Sequence, residues 1–254
     1  EDETGIYSYT DWLPINRILK SNGRPVTYQS RKLAAYLGLS HLYITISGYW
    51  PEKGALMTTG TFKECEAYAV CARLPKEADR VLVVASAGNT ARAFIKVASE
   101  NQIPLVVVVP ERNLNSLWQI TQVRSCVQVV AAGRGSDYFD AISLADMIGK
   151  NEGFQNEGGA KNVARRDGMG TTVLSAALEC GEIPDYYFQA VGSGTGAIAA
   201  YEANLRLNED GRFKRKTMCL QLSQNTPFLP IYEAWRDRSR DIAAMSPAES
   251  RSLS

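Results

Sequence analysis

Between residues 80 and 150 the chain alternates short, wholly apolar runs with longer mixed ones, and few folds accommodate that alternation. Val81-Leu-Val-Val-Ala85 and Leu105-Val-Val-Val-Val-Pro110 contain no polar side chain, and Val127-Gln-Val-Val130 contains one. A strand apolar at every position has no face for solvent, so these runs read as neighbours in a parallel sheet covered on both sides. Helices are expected over 91–100, 114–125 and 136–150, which makes the block a right-handed βαβαβα unit.

The flanking sequence carries a second α/β layer, built from the two ends of the chain. A short helix is expected within 1–30, a helix over 30–39 ending at Gly38, and a strand over 42–46. A long loop, 47–59, leads into an amphipathic helix that Pro75 stops. Residues 151–170 are glycine-rich and read as a mobile crossover, followed by a helix from 171 to 180. Then come a strand over 186–191, a helix over 197–207, a strand over 217–222 and a helix over 228–242. The tail from Pro247 onward reads as disordered. The organisation expected is therefore a large discontinuous domain, 1–78 with 151–254, around a small α/β domain, 79–150.

Composition excludes several classes. Lys and Arg number 28 against 27 Asp and Glu, a net charge of +1, so no basic field advertises nucleic acid or an anionic membrane. No apolar run approaches the ~18 residues of a membrane span, and the first residues lack a signal-peptide pattern. A soluble cytoplasmic protein is the expectation. Five scattered cysteines and a single histidine, His41, form neither a zinc site nor a disulfide framework nor a serine-hydrolase triad, so no metal is expected.

Three stretches carry chemistry. In Met57-Thr-Thr-Gly-Thr-Phe-Lys63-Glu-Cys-Glu-Ala67, a lysine opens a helix. The positive end of the helix dipole favours a neutral amine, the nucleophile that can hold an aldehyde cofactor as a Schiff base. Ser86-Ala87-Gly88-Asn89-Thr90 links a strand to a helix, a small polar loop suited to a carboxylate. Gly192-Ser193-Gly194-Thr195-Gly196 does the same with glycines, whose free N–H groups and close approach suit a phosphate. With Ala197 this loop also satisfies a dinucleotide fingerprint, which opens an NAD(P)-dependent oxidoreductase as an alternative. That reading wants an acid at the end of the next strand, whereas Glu209 and Asp210 precede it. A glycine turn without a ligand is the third possibility. Lysine, carboxylate loop and phosphate loop together are the three handles of pyridoxal 5′-phosphate with an amino-acid substrate.

In order and spacing these motifs resemble the fold-type II pyridoxal-phosphate enzymes, the family of threonine synthase, cysteine synthase and tryptophan synthase β, over about residues 20–245. The resemblance implies two doubly wound α/β domains with parallel sheets. It makes Lys63 the Schiff-base lysine, Asn89 the partner of the cofactor's ring oxygen, and Gly192, Ser193, Gly194, Thr195 and Gly196 the phosphate site. Ser86, Ala87, Gly88, Asn89 and Thr90 would hold the substrate carboxylate. Within the family, Ser47-Gly-Tyr-Trp-Pro-Glu-Lys-Gly-Ala-Leu-Met57, Thr59 to Tyr68 and Phe154-Gln-Asn-Glu-Gly-Gly-Ala-Lys161 are most similar to the cysteate synthase branch. That branch converts O-phosphoserine and sulfite to cysteate and phosphate, a step toward coenzyme M, and homodimers are usual.

Two departures from the threonine-synthase pattern stand out. Lys63-Glu-Cys-Glu66 replaces Lys-Asp-Arg-Gly, and Asn156 stands where an Arg is usual. The second argues against a phosphohomoserine site of the usual form, although threonine synthase stays open as an alternative. Asn156 and Lys161 join the substrate-site candidates, with Arg165 and Arg166 as further cations for sulfite and phosphate. The family also extends further C-terminally and supplies there a group facing the pyridine nitrogen, so this chain is expected to lack its last α/β units.

Overall fold

The computed structural model describes residues 5–20, 23–75, 80–118, 122–227 and 229–238. A 3-10 turn, Gly5–Tyr9, leads to β1 (Val26–Gln29), α1 (Arg31–Leu37), β2 (Tyr43–Ile46) and a small hairpin of β3 (Tyr49–Trp50) and β4 (Ala55–Leu56). Next come α2 (Lys63–Arg73), β5 (Val81–Ala85), α3 (Asn89–Asn101), β6 (Leu105–Pro110), β7 (Val127–Ala132), α4 (Tyr138–Gly149) and β8 (Phe154–Asn156). The remainder is α5 (Val163–Cys180), β9 (Tyr186–Ala190), α6 (Thr195–Asp210), β10 (Cys219–Ser223) and α7 (Pro230–Arg236).

The apolar runs form one parallel sheet in the order β7-β6-β5-β8. Successive residues serve opposite faces, as the strand period of two requires. Leu82, Val84, Leu105 and Val107 pack in one core with Phe94 and Ile95 of α3. Val83, Val106 and Val108 pack in another with Ala141 and Ala145 of α4. The second layer is α-helical at its centre, with α5 packed between α2 and α6. Its strands are an antiparallel pair, β1–β2, and a parallel pair, β9–β10.

Several expectations shift. The expected loop 47–59 holds the β3–β4 hairpin and a 3-10 turn, Pro51–Lys53. Residues 151–170 were expected as crossover, yet they contain β8, which pairs with β5, and the first two turns of α5. Asn162 starts that helix, its Oδ1 accepting the Ala164 N–H at 2.9 Å. Gly168 and Gly170, which suggest a break in sequence, instead permit close helix packing. A Cβ at Gly168 would lie 2.3 Å from the Cys65 carbonyl oxygen, and one at Gly170 would lie 3.2 Å from that of Ala199. Over 114–125 the described residues show no α-helix but a 3-10 turn, Glu111–Ser116; residues 119–121 lie outside the described set. Finally, α2 is not amphipathic. Glu64 through Ala72 are all buried, because α3 flanks it on one side and α5 on another. The expected helix over 228–242 is shorter than read: α7 ends at Arg236, Asp237 and Arg238 form a turn, and residues 239–242 and the tail from Pro247 lie outside the described residues.

Candidate active site

From β5 the chain moves outward to β6 and β7, then returns to place β8 on the other side of β5. Where strand order reverses, the loops leaving the carboxyl ends of the two strands diverge and open a crevice. Here those loops are Ser86–Thr90 after β5 and 157–162 after β8. Two of the sequence-assigned substrate segments therefore leave the sheet at its topological switch point, where open α/β sheets bind ligands.

Ser86 is buried, and its Oγ accepts the N–H groups of Gly88 at 3.2 Å and Ala91 at 3.0 Å. It thereby caps α3 and holds the loop in shape. Asn89 is exposed at the first position of α3, and its Oδ1 accepts from the Arg92 guanidinium at 2.6 Å. An amide whose oxygen is engaged in this way presents its N–H₂ outward as a donor.

Lys63 is the first residue of α2, with its side chain 21% exposed. Its Nζ lies 3.1 Å from Glu66 Oε2, within a fully buried carboxylate. The other oxygen of Glu66 is 2.9 Å from Arg165, whose Nε donates to Glu157 Oε1 at 2.8 Å. Glu157 follows β8 directly, and its N–H donates to the Val83 carbonyl of β5 at 2.9 Å. A continuous chain of charge thus runs from the lysine to the crevice between β5 and β8. Burial raises the Glu66 carboxyl above its ordinary value, while Arg165 and Lys63 pull it the other way. The helix-dipole argument left this carboxylate out. Cys65 and Cys71 on the same helix are buried, and burial pushes both thiols up to about 12, so neither is a thiolate nucleophile at neutral pH.

Helices α2 and α3 run in the same direction: Glu64 meets Lys96, and one turn further on Tyr68 meets Glu100. The helix starts bearing Lys63 and Asn89 therefore point toward one end of the molecule. The glycine loop is tied in through α5. The close contacts of Gly168 with Cys65 and of Gly170 with Ala199 put α2 and α6 on the same turn of α5. Lys63 precedes Cys65 by two residues and Thr195 precedes Ala199 by four, roughly 3 and 6 Å of helix rise.

The loop itself has the features of a phosphate cradle. Gly194 caps the 16-residue α6 at φ +78°, a conformation that favours glycine, and no side chain caps that helix start. A Cβ at Gly192 would meet nothing within 4 Å, so the loop is open there. Ser193 and Thr195 hydroxyls lie 2.8 Å apart beside it. Gln189 Oε1, buried and without a hydrogen-bond partner among the described residues, stands where a Cβ on Gly196 would fall. Open N–H groups, hydroxyls and a helix start fit the phosphate end of pyridoxal phosphate, and Lys63 and Asn89 each open a helix.

Other candidates have different roles. Asn156 turns away from the crevice, its amide donating to Asp146 of α4 at 3.0 Å. Lys161 is exposed on the loop after β8. Arg165 is committed to Glu66 and Glu157, and Arg166 to Glu202 at 2.9 Å, so neither guanidinium is free for sulfite or phosphate. Against the dinucleotide alternative, Glu209 and Asp210 form the last turn of α6 and pair with Arg215 and Arg212. The end of β10, where a ribose acid belongs, is Leu-Ser223 followed by Gln224. Sequence reasoning missed Glu66, Glu157 and Arg92. The signal for Glu66 was present: a second acid within an otherwise apolar Cys-Ala-Tyr helix.

A family model described as pyridoxal-phosphate dependent enzyme matches residues 47–250. Cysteate synthase of Methanosarcina acetivorans is 49% identical over 240 residues, covering 94% of this chain and 58% of the relative. Cysteate synthase of Methanothrix thermoacetophila is 50% identical over 233 residues, covering 91% and 55%. The chain thus spans somewhat over half the length of the curated relatives it matches. Among solved structures, maize serine racemase aligns at a TM-score of 0.61 and 15% identity, covering 87% of this chain and 63% of that one. Serine racemase from Dictyostelium discoideum aligns at 0.58 and 16%, covering 88% and 67%. At such identities the two structures speak for the fold alone.

Proposed function

Since this chain belongs to the pyridoxal-phosphate dependent enzymes, we propose that it converts O-phosphoserine and sulfite to L-cysteate and phosphate, with its cofactor held at Lys63. Supporting the substrate choice is the near-50% identity to cysteate synthases across nine-tenths of the chain. The observation that carries the site is the charged chain from Lys63 through Glu66 and Arg165 to Glu157 at the carboxyl end of the sheet.

When bound, pyridoxal phosphate supplies an electron sink for the negative charge left at a substrate α-carbon. The protein's own groups do the rest. Gly192–Gly196 holds the cofactor phosphate, the Asn89 amide donates to the ring oxygen, and the Ser86–Thr90 loop seats the substrate carboxylate. Once the substrate's amino group has replaced it on the cofactor aldehyde, the freed Lys63 amine takes the α-proton. Glu66 Oε2 then holds the resulting ammonium in place, so the proton stays within reach. Phosphate leaves Cβ with its bonding electrons, sulfite adds at that carbon, and Lys63 returns the proton. The cofactor is assigned to the unit formed by 1–78 and 151–254, the small unit being 79–150 extended by β8. The working form is read as a cytoplasmic homodimer.

The test is phosphate release and product chromatography on the full-length protein with O-phosphoserine or phosphohomoserine, with and without sulfite. Cysteate that appears only with O-phosphoserine and sulfite is expected. Phosphohomoserine requires a second proton to be removed, from Cβ, before its phosphate can leave. Efficient threonine formation without any sulfonate would replace this reading with threonine synthase.

A further inference from the structure

The proposed reaction handles two oxyanions, and Arg165 and Arg166, the arginines the sequence offers for them, are taken by carboxylates. Arg92 differs from them. It sits one turn into α3, on the same helix face as Asn89, and its side chain leans toward the helix start as helical side chains do. Among the described residues no carboxylate lies within ion-pair distance of it. Its guanidinium stacks 4.2 Å from the Trp118 ring centre, donates to the Ser116 carbonyl at 3.0 Å, and donates to Asn89 Oδ1 at 2.6 Å. Two of its five N–H groups are thereby used, and Nε is buried without an acceptor among the described residues.

The partners place Arg92 as well as hold it. Ser116 and Trp118 follow β6, and Asn89 follows β5, so the guanidinium is clamped between the loops at the carboxyl ends of two adjacent strands. Partial burial without a carboxylate is unfavourable for a guanidinium, and it lowers the Arg92 pKa. The structure accepts that cost at a residue in hydrogen-bond contact with the candidate cofactor ligand. A planar fork with open donors is the group suited to a tetrahedral or pyramidal oxyanion.

We infer that Arg92 is the specificity-determining residue for the oxyanion of the substrates, the phosphate of O-phosphoserine and the incoming sulfite. The inference rests on the reading of Ser86–Thr90 as the substrate loop. Trp118 and Ser116 act as positioning residues that keep the fork aimed.

The experiment titrates inorganic phosphate and sulfite into the cofactor-loaded full-length protein and its Arg92→Met and Arg92→Lys variants. Methionine keeps an apolar stem against Trp118 and removes the charge; lysine keeps a charge and removes the fork. Arg92→Met is expected to weaken both anions at least about tenfold and to raise KM for O-phosphoserine more than it lowers kcat, with Arg92→Lys between it and wild type. Borohydride-fixed cofactor per chain stays at the wild-type level in both. Wild-type affinity of Arg92→Met for both anions would overturn the inference, as would an equal loss in the two variants. Failure of the function reading looks different: the wild-type protein would make no cysteate from O-phosphoserine and sulfite, whatever the anion titrations give. Should the Met variant not fold, the Lys variant decides, with an unchanged affinity refuting the fork.

Discussion

Glu64 and Glu66 are two residues apart in α2 and equally buried, yet they are neutralised in opposite ways. Glu64 meets Lys96 at 3.0 Å and accepts the N–H and hydroxyl of Thr59 at 3.1 and 2.8 Å. Lys96 is only 5% exposed and is further bound by Tyr68 and Glu100. That network ties α2 to α3 and shuts its amine in, with only Glu100 at its edge reaching solvent. Glu66 instead meets Lys63, which reaches solvent, and Arg165, which leads back to the sheet crevice. A network whose amine is shut in fixes packing. An open one keeps a single amine available while holding it still.

Substitutions separate the two. Lys63→Ala should remove turnover and borohydride-fixed cofactor altogether while shifting the melting temperature by only a few degrees, since Glu66 keeps Arg165. Glu64→Ala should do the reverse. It leaves Lys96 buried with less of its countercharge, which costs about 3–5 kcal/mol in denaturant unfolding and lowers activity only through lost folded protein. If Glu64→Ala instead folded normally and lost cofactor, the division between the two carboxylates would fail.

Gly194→Val should come next in size. A side chain at φ +78°, already 3.1 Å from Ile231 at its Cβ, blocks approach to the loop and should weaken pyridoxal-phosphate affinity at least tenfold. A loss of NAD affinity with cofactor affinity unchanged would revive the dinucleotide reading.

Glu66→Gln should have the smallest effect on stability and a particular pH signature. Burial raises this carboxyl above 4.5, so the folded state binds its proton more readily than the unfolded chain does. Stability from Glu66 is then fully present below 4.5 and declines as pH rises through the raised folded value. Glutamine removes that decline, so the difference between variant and wild type should change across the window just above 4.5. Parallel stability–pH curves would contradict a raised Glu66.

The parallel sheet was legible because apolar strands with no polar face admit few arrangements, and the strand limits at Leu105–Pro110 agree to the residue. The helix starts at Lys63, Asn89 and Thr195 were legible because each follows a small-residue turn. The α5 start was not, since Gly168 and Gly170 look like breakers until Cys65 and Ala199 are seen against them. Nor was the fate of Arg165 and Arg166, because pairing with Glu66 and Glu202 depends on helices brought together from distant parts of the chain.

The open network is proposed to hold the cofactor's lysine. The most direct test is borohydride reduction of the full-length protein loaded with pyridoxal phosphate, followed by peptide mass mapping. One pyridoxyl group per chain, on Lys63, is the expected result. A pyridoxyl group on a different lysine, or none on any, would contradict it.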